Sequence, residues 1–197
     1  MKQSKAVMLS IQPRYCMSIF SHEKTLEIRK NHPAIDVPFK CYIYCTKEHN
    51  DSLAIGKDKI FHTANGMVIA EFTCDKIYTG VATSDGHPAY QEVTPGSCLT
   101  TNELIDYGKG DVLYGWHISD LVKYEPSQFR QVNSFLKPCV DERFKHCEIC
   151  RYGHCDYPDE HYGHDIPVED FDITCTNRLK RPPQSWCYIR SDNNDLT

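Results

Sequence analysis

The sequence predicts an α+β fold: a small mixed β-barrel with short helices and a cysteine-rich insertion. Three observations carry this. Segments with the two-residue period, or the β-branched and aromatic content, of strands recur along the chain. Helical signals are confined to two short stretches. Between them there is no regular βα alternation of the kind a doubly wound sheet requires. With 197 residues, 40% of them apolar, and twelve tyrosines, the chain has enough material for a packed core.

In order, AVMLSI (6–11) reads as a first strand. Pro13 can open a helix, in which Tyr15, Ile19 and Phe20 supply one or two amphipathic turns before His22 ends it. KTLEIRK (24–30) gives a second strand, with Leu26 and Ile28 on one face and Thr25, Glu27 and Arg29 on the other. From residue chemistry alone, that charged face reads as solvated, with Glu27 and Arg29 paired across it. PFKCYIYCT (38–46) is a third strand, introduced by Pro38. After a polar loop carrying Asn65-Gly66, GMVIAEFTCDKIY (66–78) predicts one long central strand, and residues 80–98 read as loop. Thr100 to Glu103 form a capping box for a short helix through Leu104, Ile105 and Tyr107, with Gly108 after its last turn. DVLYGWHISDLVKY (111–124) returns to strand, and RPPQSWCYI (181–189) closes the set.

The net charge of −5 hides an asymmetry: residues 1–60 hold ten Lys or Arg against six Asp or Glu, and the remainder twelve against twenty-one. That excludes a general nucleic-acid coat, whose affinity comes from neutralising phosphates, and leaves a local patch or pocket. No apolar run is long enough to cross a bilayer and no signal-peptide core follows Lys2 and Lys5, so a soluble, cytoplasmic protein with no membrane partner is expected.

Eleven cysteines fall into two groups. Cys16, Cys41, Cys45, Cys74, Cys98 and Cys187 sit in or beside apolar stretches and read as small buried hydrophobes. The others lie in an acidic segment, ten acidic residues against three basic over 139–172, too poor in aliphatics to order itself. There C-x7-C-x2-C-x4-C predicts a structural zinc on Cys139, Cys147, Cys150 and Cys155, with Cys175, His146 and His154 in reserve. A loose acidic loop with reduced thiols is the alternative, and disulfides are disfavoured in a cytoplasm. The expected organisation is a barrel core over 1–137, the insertion over 138–180, and a closing strand with a tail over 181–197.

These segments in this order resemble the ASCH domain, a β-barrel family related to the PUA domains of RNA-modifying proteins. The resemblance is carried by MLSIQPRYCMSIFSHEKTLEIRK, PFKCYIYCT, GMVIAEF, CLTTNELIDYGKGDVLYGWHIS and PPQSWCYI. Its most specific part is the family's G-x-K-x-x-E-x-R pattern, met here by His22, Lys24, Glu27 and Arg29. The resemblance implies that these charges look into a cleft beside the first helix, where RNA or a modified nucleotide or nucleoside binds. Arg29 would then offer a planar fork to a phosphate or base edge, and Glu27 would accept from an amine or hold Arg29. Lys24 would supply a point charge. The family's glycine is replaced by His22, which can still take the positive φ of such a turn but puts an imidazole at the cleft mouth.

The resemblance also implies an alternative, an amidohydrolase deacylating N4-acylated cytidine with a lysine, a threonine and a glutamate. Lys24 matches the lysine, Glu27 stands where the threonine would, and Glu103 is the candidate glutamate. A lysine base must shed its proton near neutrality, and a carboxylate beside it works against that. A protein-interaction module is the third reading. Trp116 and Trp186 could stack a base, though core or rim packing is the commoner fate of strand tryptophans.

Overall fold

The computed structural model describes residues 5–48, 51–57, 60–82, 89–138 and 179–190. In chain order these form β1 (Lys5–Ile11), α1 (Pro13–Phe20), β2 (Leu26–Arg29), β3 (Phe39–Cys45), β4 (Ala54–Lys57), β5 (Ile60–Thr63), β6 (Val68–Cys74), β7 (Ile77–Gly80), α2 (Thr101–Gly108), β8 (Leu113–His117), β9 (Ser119–Lys123) and β10 (Trp186–Arg190). The α+β class holds. Among the described residues the strands form a five-stranded sheet, β10-β1-β3-β6-β9, a three-stranded sheet, β2-β8-β7, and the β4–β5 hairpin, without closing into a barrel.

Two predicted long strands each divide between the sheets. The segment 66–78 breaks at Asp75-Lys76, so that β6 lies in the large sheet and β7 in the small one. The segment 111–124 breaks at Ile118, giving β8 to the small sheet and β9 to the large one. The exposed pair Asp75-Lys76 interrupts the first apolar run and is a sign of that corner; Ile118 gives none, because strand periodicity does not record which sheet a strand joins. At that corner the Ile118 amide donates to the Thr25 carbonyl at 2.9 Å, and Asp120 takes φ 48°. The hairpin β4–β5 formed where a polar loop was expected.

β1 is paired on both sides, antiparallel to β10 and parallel to β3. Its alternate side chains enter two cores: Val7, Leu9 and Ile11 face the interior beside Cys16, Ile19, Ile43 and Trp116, while Ala6 and Met8 meet Tyr42, Val68 and Phe135 on the other face. A third cluster, Leu26, Ile28, Tyr90, Val93, Leu104 and Leu113, fastens α2 to the back of the small sheet.

The capping box of α2 is formed as predicted: the Glu103 amide donates to Thr100 Oγ1 at 3.2 Å, and the Thr100 amide to Glu103 Oε2 at 2.8 Å. Gly108 lies inside the helix, where a Cβ would collide with the Tyr90 hydroxyl; Lys109 makes the left-handed cap at φ 54°. Four of the six cysteines expected in the core, Cys16, Cys41, Cys45 and Cys74, are buried. Cys98 is not: it sits exposed at φ 58° in a turn. Cys187 is half-buried. Most of the expected insertion lies outside the described residues, including the zinc candidates Cys139, Cys147, Cys150 and Cys155. Among the described residues no helix is long and apolar enough to cross a membrane.

Candidate functional site

Opposite residues on paired strands share a face, so the register of β2 with β8 fixes where its charges go. Glu27 pairs with Trp116 and Arg29 with Tyr114, whose rings belong to the interior core. The charged face is therefore turned inward, not into solvent. Lys24, Glu27 and Arg29 have side chains only 3%, 7% and 11% exposed, which overturns the solvated-face reading.

These three side chains help line a cavity of about 540 Å³. Ser10 and Ile11 at the end of β1, Arg14 and Tyr15 of α1, and Glu103, Asp106 and Tyr107 of α2 complete most of its wall. Such a volume suits a small ligand or one unit of a polymer. Arg29 Nη2 lies 3.0 Å from Glu27 Oε1 and donates to the Ser10 carbonyl at 2.8 Å. Lys24 Nζ donates to the Ser97 carbonyl at 2.7 Å, stands 3.5 Å from Glu27 Oε2, and lies 5.1 Å from the centre of the Tyr15 ring. The guanidinium of Arg14 covers the same ring at 4.6 Å. Burial is the main reason the Tyr15 hydroxyl has its pKa raised, so this phenol is a donor at neutral pH.

The cluster is not saturated. Glu27 Oε2 and Arg29 Nε are buried with no hydrogen-bond partner, Lys24 being close enough to Oε2 for charge attraction but not for a well-formed bond. Buried polar atoms in folded proteins are nearly always bonded, so unfilled valences beside a cavity mark a place where a ligand or water belongs. The cavity carries three cations, Arg14, Lys24 and Arg29, against four carboxylates, Glu27, Glu48, Glu103 and Asp106. It is polar and close to charge-balanced.

Glu103 lines the cavity with one carboxylate oxygen, Oε2, already occupied. Hydrogen bonds from the Thr100 amide and hydroxyl lower its pKa and hold it as an ionised cap. Trp116 is fully buried, edge-on to Phe39 and Trp186, and no base can reach its face. Trp186 is half-buried outside the cavity, with its indole N–H donating to Asn31 Oδ1 at 2.7 Å. His22 adopts φ 61°, the left-handed turn expected of the position, but it is exposed and not part of the cavity wall. His117 is bound to Asp75 at 2.6 Å on the far side of the small sheet. Sequence reading missed Arg14, Tyr15 and Tyr107 as wall residues. The Arg-Tyr pair opening α1 was a usable signal; the carbonyls of Ser10 and Ser97 leave none, because any residue supplies them.

An α+β fold with a buried, incompletely bonded Lys–Glu–Arg cluster under a cavity is thus the class of protein defined here. No protein-family model and no curated protein matches the chain. Among solved structures it is similar to the ASCH crystal structure from Zymomonas mobilis, with 16% identity and a TM-score of 0.47, covering 95% of this chain and 90% of that one. Two single-substitution variants of that protein also match at 16% identity. One has a TM-score of 0.45, covering 98% of this chain and 94% of that one; the other has 0.41, covering 62% and 86%. These structures carry the name of the family that the His22–Arg29 pattern resembles.

Proposed function

We propose that this protein binds RNA or a modified nucleotide by taking one nucleobase into the cavity over Lys24, Glu27 and Arg29. The observation that carries the reading is the unfilled hydrogen-bonding capacity of Glu27 Oε2 and Arg29 Nε beside a cavity of about 540 Å³. Near-balanced charge favours reading a polar base edge over trapping a bare phosphate, which needs a clear excess of cations. Tyr107, partly exposed, gives the wall an aromatic surface on which a planar ring can rest. Glu27 suits an exocyclic amine and Arg29 a carbonyl or ring nitrogen.

Calorimetric titration of the full chain with the four nucleoside monophosphates and a short RNA tests this. Saturable binding weakened by Arg29→Ala and by Glu27→Gln supports it; no binding, or binding indifferent to both substitutions, overturns it. Incubation with N4-acetylcytidine separates the hydrolase: released cytidine would make the same cavity an active site. We also propose a structural zinc on Cys139, Cys147, Cys150 and Cys155, resting on their spacing. Metal analysis of chelator-free protein is expected to find about one zinc per chain, and a metal-free chain would refute it.

A further inference from the structure

The hydrogen-bond phase of the small sheet leaves one main-chain donor and acceptor of β2 turned toward the cavity. In an antiparallel pair, residues alternate between bonding the partner strand and pointing away from it. The Ile118 amide donates to the Thr25 carbonyl, and the His117 amide donates to Lys76 on the β7 side. Both fix the phase: Glu27 and Arg29, opposite Trp116 and Tyr114, are bonded to β8, and Ile28, opposite Gly115, is not. The Leu26 amide confirms it, since it also points away from β8 and donates to the Gly96 carbonyl at 2.9 Å.

Among the described residues β2 is the edge of its sheet, so the N–H and C=O of Ile28 meet no described strand. Outside the β2–β8 ladder, no backbone hydrogen bond of either group is found among the described residues. Yet Ile28 is only 4% exposed and lines the cavity, while its side chain is taken up by the core cluster behind the strand. What it offers the cavity is its backbone. A buried amide without a partner is rare in folded proteins and calls for a ligand atom or a water.

We propose that the Ile28 N–H and C=O read the base, by pairing with an adjacent donor and acceptor on its Watson–Crick edge. This rests on the proposed function and says how the base is recognised. The two backbone groups of one extended residue point the same way, as in the two-bond pairs of an antiparallel ladder. A lactam such as uracil or guanine, or an amino-substituted ring nitrogen such as cytosine or adenine, presents the matching donor–acceptor pair. A peptide strand fits less well. It would need a run of outward groups, whereas the Leu26 amide is already bonded and neither Leu26 nor Lys30 lines the cavity.

The test uses the full ¹⁵N-labelled chain. In the free protein the Ile28 amide is expected to exchange with solvent faster than those of Glu27 and Arg29, which β8 holds. The four nucleosides are then titrated, each beside an analogue methylated on that edge: 3-methyluridine, 1-methylguanosine, N6,N6-dimethyladenosine and N4,N4-dimethylcytidine. Whichever parent binds should slow Ile28 exchange, its edge-methylated analogue should bind about tenfold more weakly or worse, and its 2′-O-methyl analogue should bind within about twofold. Equal binding of parent and edge-methylated analogue overturns the backbone reading while leaving the proposed function standing. Failure of every parent to bind overturns both. Protection of the Lys30 amide together with that of Ile28 by an added peptide, with no nucleoside effect, would show strand addition and also overturn it.

Discussion

Two glutamates in this molecule each stand between partners, and only one of them looks like a binding site. Glu71, on the large sheet, is saturated: Oε1 accepts from Lys40 Nζ at 2.7 Å and Oε2 from the Tyr124 hydroxyl at 2.6 Å. Glu27, on the small sheet, is more deeply buried and less well served: Arg29 is 3.0 Å from one oxygen, and Lys24 is 3.5 Å from the other without bonding it. The first cluster is closed and ties β3, β6 and the segment after β9 together. The second is open to a cavity. Each is a glutamate between a lysine and one further donor, the Tyr124 hydroxyl or the Arg29 guanidinium, and the mark of the candidate site is its unfilled hydrogen bonding under burial.

The largest expected effect is at the open cluster. Glu27→Leu leaves two buried cations without their carboxylate, which should cost roughly 3–5 kcal/mol of stability and abolish binding. Thermal or denaturant unfolding checks the first and calorimetry the second. Cleft charges are usually dispensable to a fold; here their burial makes the acid part of it. Glu71→Leu should cost less, roughly 1–2 kcal/mol, because Lys40 is 35% exposed and regains water. A larger loss from Glu71 than from Glu27 would break the comparison.

Arg29→Ala comes next. It should weaken nucleotide binding by roughly 1–3 kcal/mol, measured by titration, because a buried partner loses a two-pronged donor. Tyr124→Phe should then remove roughly 1 kcal/mol of stability and leave binding untouched. Burial, and secondarily its bond to Glu71, raise the pKa of Tyr124 above the ordinary 10.0. A raised acid contributes stability that is present below the unfolded value and lost as pH climbs past it. Unfolding midpoints of the native chain should therefore fall from about pH 10 upward, more steeply than those of Tyr124→Phe. The smallest effect is expected at the surface pair. The bond from His117 lowers the pKa of Asp75, so any contribution lies above the usual carboxylate range and fades as pH falls. With side chains 35% and 47% exposed, His117→Gln should change stability by roughly 0–1 kcal/mol.

Much of this was legible in the sequence, for physical reasons that differ by element. The capping box at Thr100 and Glu103 and the proline opening α1 are local signals, and both helices formed where those signals stood. β1 and β3 declared themselves by dense apolar and aromatic content. Of the corners, Asp75-Lys76 carried a sign in its two exposed charges, whereas Ile118 carried none, because strand periodicity does not record which sheet a strand joins. The hairpin β4–β5 was hidden by its polar setting. At the site, the pattern from His22 to Arg29 marked the strand, but two-residue periodicity alone put its charges in solvent. Only the pairing of Glu27 with Trp116 turns them inward. The choice of Glu27 over Glu71 as the open cluster was invisible, since it depends on partners far along the chain: Ser10, Ser97 and Tyr124.

The most direct measurement is a calorimetric titration of the native chain, Glu27→Gln and Glu71→Gln with the tightest-binding nucleoside monophosphate, each variant first shown folded under the conditions used. Both substitutions remove one charge and keep the shape. If the open cluster is the site, Glu27→Gln should change affinity by about tenfold or more, while Glu71→Gln should stay within about twofold of the native chain. Equal sensitivity of the two positions, or a larger effect at Glu71, would contradict the assignment of the cavity as the binding site.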